Sequence, residues 1–215
     1  MPEGRVGTPD IYADLQRRLL TNGFAPGGRL MPSTLSQEYG CSANTVRDVL
    51  LQLSQVGLVD FAIQRGFRAR QVSRARLADI ARFRTILEQE GAVRSQAAGG
   101  LPWEARLTAA HHSLRHIESQ IARAPAAAPF LDLWSDAEHD FHETLISECR
   151  LPPLIETFNA VYLQFRQQMT GVTETFSPGY FHPIIDEHQA ILDAALSGDS
   201  GALRAAIAAH LERHL

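Results

Sequence analysis

The stretch EHDFHETL, at residues 138–145, places ionisable groups inside an apolar helical pattern. At about 100° per residue, Trp134 and Phe141 share one face of a helix, and Glu138 and His142 lie in or beside the same sector. Glu138 and His142 are four residues apart, so their side chains can meet. Because a buried carboxylate or imidazole without a partner is costly, both groups must find one.

Two further histidines lie on apolar faces of later predicted helices, His188 and His210. Taken alone, each is most simply a core histidine, and Glu138 and His142 can simply pair with each other or with an arginine. Three inward histidines and one inward carboxylate in one small domain are, however, a suitable ligand set for a first-row transition metal. The sequence therefore offers both a structural and a metal-binding interpretation.

Six predicted helices position these groups. Nearly every segment after residue 77 has the apolar spacing of a helix, and the breaks between segments are short. We therefore predict that residues 77–215 form an antiparallel all-α bundle of about six helices. The interior of such a bundle is a common place for a ligand or metal site.

The charge of the chain is divided unevenly. Residues 1–76 contain ten arginines and six acidic residues, whereas residues 77–215 contain ten arginines and eighteen acidic residues. The formal charges are thus +4 and −8, with no lysine anywhere and all nine histidines after residue 110. This asymmetry indicates a basic part suited to phosphate and an acidic, histidine-rich part with a different partner.

Composition excludes several protein classes. No apolar run approaches the roughly 18 residues of a membrane-spanning helix, and MPEGRVGTPD lacks the apolar core of a signal peptide. The two cysteines, Cys41 and Cys149, form no paired spacing, which favours reduced thiols. We expect a cytoplasmic protein with no membrane partner.

The basic part has the pattern of a winged helix-turn-helix over residues 1–73. Three amphipathic helical segments are followed by LVDFAIQRGFRARQV, at residues 58–72, which contains two β-prone runs around a glycine turn. In this arrangement the third helix enters the major groove of DNA, and the hairpin reaches phosphate or the minor groove. The predicted fold is therefore mainly α, with an N-terminal winged helix-turn-helix and a C-terminal antiparallel helical bundle.

The segment PGGRLMPSTLSQEYGCSANTVRDVLLQLSQVGLV resembles the DNA-binding region of GntR-family repressors. Many spacings agree at once, among them Pro26-Gly27, Val46-Arg47 and Gly57-Leu58-Val59. The resemblance implies a transcription regulator that binds double-stranded operator DNA. The candidate DNA-contacting residues are Ser33, Thr34, Ser42, Asn44, Thr45, Arg47, Arg65, Gly66 and Arg68.

Two positions depart from the family pattern. Ala43 stands where the family usually has an arginine after the serine that opens the third helix, and Ser33 replaces a second common arginine. Where the family arginine makes a bidentate contact with a base, its absence removes about 1–3 kcal/mol of DNA-binding free energy.

The acidic part resembles the C-terminal effector domain (FCD) of the FadR subgroup of GntR regulators. FRTILEQEGA, EHDFHETL and DEHQAILDAALSGDSGALRAAIAAH carry this resemblance. Arg84 and Glu88 match an R-x-x-L-E pair, and Glu138 occupies a position that is usually Asp. By position, the implied ligands of a divalent transition metal are Glu138, His142, His188 and His210. The resemblance does not distinguish between Zn, Ni, Mn and Fe, and we favour Zn or Ni.

The same resemblance implies a small carboxylate effector bound at the metal. Arg84 is a candidate second anchor for that carboxylate, and Arg166 is another. The alternative for Arg84 is a salt bridge with Glu88, four residues later. We expect a homodimer, because two recognition helices must reach two half-sites, and we expect effector and operator binding to be linked.

Two other functions use the same residues. In a metal-free sensor, the histidines would bind the carboxylate directly. In a metal-dependent enzyme, the metal would activate water. The bundle offers no clear additional general base, and the N-terminal pattern favours a sensor, so we expect no enzymatic activity.

Overall fold

The computed structural model describes residues 7–172 and 176–215, and the first six residues of the predicted domain 1–73 lie outside it. The described chain is mainly helical with one small sheet, which confirms the predicted fold class. It divides into two compact units. The first unit contains Met1–Leu77 and Leu163–Glu174, and the second unit contains Ala78–Tyr162 and Thr175–Leu215.

The first unit contains the winged helix-turn-helix. The elements are α1 (Thr8–Leu20), β1 (Arg29–Leu30), α2 (Pro32–Tyr39), α3 (Ala43–Gln55), β2 (Val59–Ala62) and β3 (Gly66–Ala69). The three strands form an antiparallel sheet in the order β1-β3-β2, with Arg29 and Asp60 on either side of Arg68.

The third helix of this unit is fixed by its cap and its buried face. The hydroxyl of Ser42 accepts a 3.0 Å hydrogen bond from the backbone N–H of Thr45, which satisfies one of the free donors at the helix start. Gly40 has a φ of 63°, a left-handed conformation that lets the chain turn between α2 and α3. Val46, Val49, Leu50 and Leu53 of α3 are buried, whereas Arg47 on the opposite side of the helix is exposed.

Residues 163–172 of a later helix, α7 (Pro152–Val172), belong to this first unit. Three glutamine side chains on it donate to backbone carbonyls of the winged region: Gln164 to Val56 at 3.1 Å, Gln167 to Leu58 at 3.0 Å and Gln168 to Gln71 at 2.9 Å. These bonds satisfy carbonyls that follow α3, precede β2 and follow β3. The predicted boundary at 77–215 assigns the same residues to the bundle, and that boundary stays a prediction.

Six α-helices contribute to the second unit in the part of the chain that the structure describes, in agreement with the predicted bundle of about six helices. They are α4 (Arg74–Ala98), α5 (Gly100–Arg123), α6 (Leu131–Ile146), α7 (Pro152–Val172), α8 (Phe181–Ser197) and α9 (Ser200–Glu212). Of α4 the second unit holds residues from 78 onward, and of α7 it holds residues 152–162.

A close approach between α4 and α6 sets the geometry of this unit. A Cβ atom added at Gly91 would lie 2.8 Å from Cβ of Ile146, which is closer than any ordinary contact. Only glycine therefore fits at this crossing. One turn earlier on each helix, Glu88 and His142 consequently face each other.

We predict that Gly91→Ala destabilises the protein, although alanine is the better helix former. The propensity gain of about 1 kcal/mol is outweighed by overpacking against the rigid β-branched Ile146, which typically costs about 1–3 kcal/mol. Urea denaturation of the full chain measures the change. The cost should shrink in an Ile146→Ala background, because the two sites share one contact. A stabilising Gly91→Ala would show that the helices are not held this closely.

Candidate metal centre

Three helices of the second unit bring the predicted ligands together. Glu138 and His142 lie on α6, His188 lies on α8 and His210 lies on α9, and all four are buried. One ligand atom from each residue lies within 4.8 Å of the others. The structure thus gathers side chains that are up to 72 positions apart in the sequence into one cluster.

The distances within the cluster suit a metal ion. Nε2 of His142 lies 3.4 Å from Nε2 of His188 and 3.5 Å from Oε1 of Glu138. Neighbouring ligand atoms about 2.1 Å from one metal ion lie about 3.0 Å apart at octahedral angles and about 3.4 Å apart at tetrahedral angles, and the octahedral arrangement leaves positions open beyond four protein ligands. Three imidazole nitrogens and one carboxylate oxygen form a donor set that fits a first-row divalent ion.

Each histidine of the cluster has its own glutamate. The Nδ1 atoms lie 2.8–2.9 Å from carboxylate oxygens: His142 from Glu88, His188 from Glu118 and His210 from Glu187. The N–H of an imidazole donates and a carboxylate oxygen accepts, so these contacts place a proton on Nδ1 and leave the lone pair of Nε2 for a metal. Carboxylates that orient imidazoles in this way accompany metal-bound histidines in proteins.

Glu138 is held by two groups. Nη2 of Arg84 lies 3.1 Å from its Oε1, and the hydroxyl of Tyr162 donates to its Oε2. Arg84 also forms a buried ion pair with Glu88 through Nε, so the salt bridge considered as the alternative role of Arg84 is present. The longer acid at position 138 is therefore fixed at both oxygens.

Burial and charge set the protonation of the cluster. Loss of solvent lowers the pKa of His142, and it lowers the pKa of His210 further. Burial raises the pKa of Glu88, but Arg84 and His142 outweigh it and hold that pKa below its ordinary value. At neutral pH the two imidazoles are therefore neutral and Glu88 is ionised, which are the states that metal binding requires.

Sequence reasoning missed Glu118, Glu187 and Tyr162. Glu118 lies on the apolar face of α5 with Leu114 and Ile121, a signal comparable to the one at Glu138. Glu187 directly precedes His188, and its role depends on a contact with α9 that the local pattern does not show. Arg166 is buried and belongs to the first unit, whereas the four ligand candidates lie in the second unit.

The predicted DNA-contacting residues lie on α2, α3 and the hairpin of the first unit. Most are exposed, whereas Thr45 and Arg68 are half-buried. Arg68 donates a 2.8 Å hydrogen bond to the carbonyl of Gly27. An open groove of about 380 Å³ is lined by Ser33, Arg47 and Arg65, among others. It combines serine and arginine donors that can meet DNA phosphates.

Comparison with known proteins places both units. The sequence profile of the FCD domain matches residues 79–213, and the profile of the bacterial regulatory proteins of the gntR family matches residues 8–68. The chain is a GntR-family transcription regulator with an FCD domain. The resemblances drawn from the sequence are thereby confirmed.

Several members of the family resemble this GntR regulator along most of its length. The HTH-type transcriptional regulator BphR of Paraburkholderia xenovorans is 30% identical, over 94% of this chain and 80% of its own. The HTH-type transcriptional repressor GlaR of Escherichia coli is 26% identical, over 94% of this chain and 91% of its own. The structure of McbR/YncC from Escherichia coli has the same fold, with a TM-score of 0.77, 20% identity and coverage of 96% and 93%.

BphR and GlaR are named as transcription regulators, which confirms the expectation that this GntR regulator is not an enzyme. No helix among the described residues has the length and apolar composition needed to cross a membrane.

We predict that the metal-free protein loses stability as the pH falls below about 6.5. The unfolded chain protonates its histidines near 6.5, whereas the folded pKa values of His142 and His210 are lower. Between these values the unfolded state binds more protons, so the free energy of unfolding decreases with falling pH. Denaturation of protein kept in chelator, between pH 8 and pH 5, measures this slope.

The variant His210→Gln should have a shallower slope in that window, because one histidine with a lowered pKa is gone. His112→Gln, a change at an exposed histidine, is the matched control and should keep the slope of the original chain. Equal slopes for all three proteins would contradict the assignment of neutral, buried imidazoles.

Proposed function

We propose that this GntR regulator is a homodimeric, metal-dependent repressor whose operator binding responds to a small organic acid. The observation that carries the proposal is the set of three buried histidines, each with Nδ1 bound to a separate glutamate and Nε2 free to bind a metal. Simple core histidines need one partner and no common centre. Its operator is cytoplasmic DNA, and the related GlaR is named as a repressor.

Different residues would bind the metal and the organic acid. Glu138, His142, His188 and His210 are the ligands, and the bound ion supplies open coordination positions for a carboxylate. Arg84 lies beside Glu138, with its guanidinium held by Glu138 and Glu88. We assign Arg84 as the second anchor of the acid, because a fixed guanidinium recognises a carboxylate through paired hydrogen bonds. Arg166 belongs to the first unit, so the proposal rests on Arg84.

A metal-free version of the same sensor is less well supported. Direct binding of an anion by histidines requires protonated imidazoles. The pKa values of His142 and His210 are lowered by burial, so both rings are neutral at physiological pH and attract a carboxylate weakly. A metal-binding site, by contrast, requires neutral imidazoles, because only an unprotonated ring nitrogen can bind a metal.

Helix α7 offers a route from the acid to the operator. Its residue Tyr162 donates to Glu138 in the second unit, and its residues from 163 onward belong to the first unit. An acid that changes the position of Glu138 thus acts on a helix that is continuous with the DNA-binding part. Effector and operator affinity are then linked by the same factor in both directions. An acid that binds the purified protein and leaves operator affinity unchanged would contradict this link.

We predict about one divalent metal ion per chain in gently purified protein. Native mass spectrometry and elemental analysis measure the content. His188→Ala should lower it at least tenfold, because one of four ligands is lost, whereas the exposed His112→Ala should leave it unchanged. Protein that contains no stoichiometric metal and does not bind added Zn or Ni would overturn the ligand assignment and favour the metal-free sensor.

We predict that Arg47→Ala weakens operator binding. Arg47 is exposed on the second turn of α3 and lines the groove beside Arg65. Loss of one phosphate contact lowers the slope of log affinity against log salt by about 1, whereas loss of a base contact costs about 1–3 kcal/mol on the preferred sequence only. Titration of fluorescent duplexes at several salt concentrations distinguishes the two roles.

Arg123→Ala is the matched control for this titration. It removes the same charge from an exposed position at the end of α5, in the second unit. Equal losses of affinity for Arg47→Ala and Arg123→Ala would indicate a general charge effect and would argue against α3 as the recognition helix.

A further inference from the structure

The hairpin between β2 and β3 carries an apolar side chain at its tip. The backbone N–H of Arg65 donates to the carbonyl of Ala62 at 3.0 Å, which closes the turn, and Gly66 follows with a φ of 67°. Ile63 is the first residue after β2 in this turn, and 93% of its surface is exposed. Turns are usually formed by glycine, proline, asparagine, aspartate or serine, so a branched apolar residue at this place is unusual.

Ile63 belongs to a small apolar surface, which we call the wing patch and which consists of Met31, Phe61 and Ile63. The exposed fractions of Met31 and Phe61 are 52% and 38%. All three side chains line the open groove of about 380 Å³ that also contains candidate DNA-contacting residues. Neighbouring apolar side chains that share one exposed groove indicate an interaction site, whereas isolated ones do not.

The base of the hairpin is held against α3, so the position of the tip is fixed. Phe61 and Phe67 stack with their ring centroids 4.6 Å apart. The guanidinium of Arg47, on α3, lies 5.8 Å from the Phe61 centroid and 6.0 Å from the Phe67 centroid, which is within the range of a cation–π contact. The branched side chain of Ile63 is itself stiff and loses little rotamer freedom when it is buried. The hairpin therefore presents a rigid apolar tip.

The charges around the wing patch indicate that its partner is DNA. Arg29, Arg47 and Arg65 line the same groove, and Arg68 lines a neighbouring groove together with Arg29 and Arg65. Guanidinium groups bind phosphates through paired hydrogen bonds, so this surface is complementary to a polyanion. A second copy of the chain would instead bring arginine against arginine, which is unfavourable. The groove is also continuous with the candidate DNA contact at Ser33.

A DNA duplex offers few apolar surfaces to such a tip. The hairpin of a winged helix-turn-helix reaches the minor groove, where apolar side chains act as wedges that enter between two base pairs and partly unstack them. The cost of unstacking depends on the sequence, and pyrimidine–purine steps are the most easily deformed. An apolar wedge therefore favours certain base steps without a hydrogen bond to either base.

We propose that Ile63 is a specificity-determining residue that enters the minor groove of the operator as a wedge at a pyrimidine–purine step. Phe61 and Met31 extend the apolar surface behind the tip, and Arg65 neutralises a phosphate beside the wedged step. The proposal rests on the operator binding in the proposed function, and it requires neither the metal nor the organic acid. It adds a sequence preference next to the base positions that α3 reads.

Selection of duplexes from a random-sequence library tests the proposed readout. The unmodified full chain should enrich a pyrimidine–purine step at a fixed distance from the positions that α3 reads. Ile63→Ala should enrich the same central positions without that step, and it should fold normally because the side chain is exposed. Leu101→Ala is the matched control, since it shortens a 76% exposed apolar side chain in the second unit, and it should keep the step. Identical motifs from the unmodified chain and Ile63→Ala would overturn the proposal.

Titrations of the enriched duplex distinguish the wedge from a phosphate contact. Ile63→Gln should weaken binding about tenfold, because an apolar side chain is no longer buried, and Ile63→Leu should restore most of the affinity. The slope of log affinity against log salt should be the same for Ile63→Gln and the unmodified chain, whereas Arg65→Ala should lower it by about 1. Unchanged affinity of Ile63→Gln, or a lowered salt slope, would contradict the wedge.

Unstacking is measured with 2-aminopurine placed at the enriched step, since this base brightens when it leaves the stack. Its fluorescence should rise when the unmodified chain binds and should stay low with Ile63→Ala. Binding without brightening would overturn the wedge and leave operator binding intact, whereas a chain that enriches no duplex would overturn both. If Ile63→Gln changes the oligomeric state in light scattering and leaves DNA affinity unchanged, the wing patch is a contact between copies and the proposal is wrong.

Discussion

The buried contact of Glu88 with both Arg84 and His142 is the interaction on which the second unit depends. Arg84 and Glu88 have no exposed surface, so neither charge can be compensated by water. Removing one partner of a buried ion pair typically costs about 3–5 kcal/mol, because the other charge remains. The same glutamate fixes Nδ1 of His142, so the pair that stabilises α4 also orients a candidate metal ligand.

The three glutamates make one site from separate helices. Glu88 lies on α4, Glu118 on α5 and Glu187 on α8, and each reaches a histidine on another helix. Each such bond fixes the tautomer of its ring as well as its orientation, so the three Nε2 atoms are prepared for a common partner. If the three Nε2 atoms bound no common metal ion, these histidine–glutamate pairs would bury more polar groups than the packing of the helices requires.

Helices α4 and α7 each depart from a single apolar face. The inner face of α4 carries Arg84 and Glu88, and its outer face carries the exposed Phe83 and Ile86, so its apolar residues lie on both sides. Helix α7 holds Glu138 through Tyr162 and the winged region through Gln164, Gln167 and Gln168. A helix with two apolar or two polar faces gives a weak periodic signal, because the two faces cancel one another in the pattern.

The sequence by itself determined the helical elements, the winged helix-turn-helix and the inward direction of Glu138 and His142. These features follow from local rules, namely the spacing of apolar residues along a helix and the turn residues between helices. Only the tertiary structure decided which carboxylate serves which histidine, since the Nδ1 partners are 54, 70 and 23 residues away along the chain. Such pairs depend on how helices cross, as at Gly91 and Ile146, and a one-dimensional pattern contains no information on a crossing.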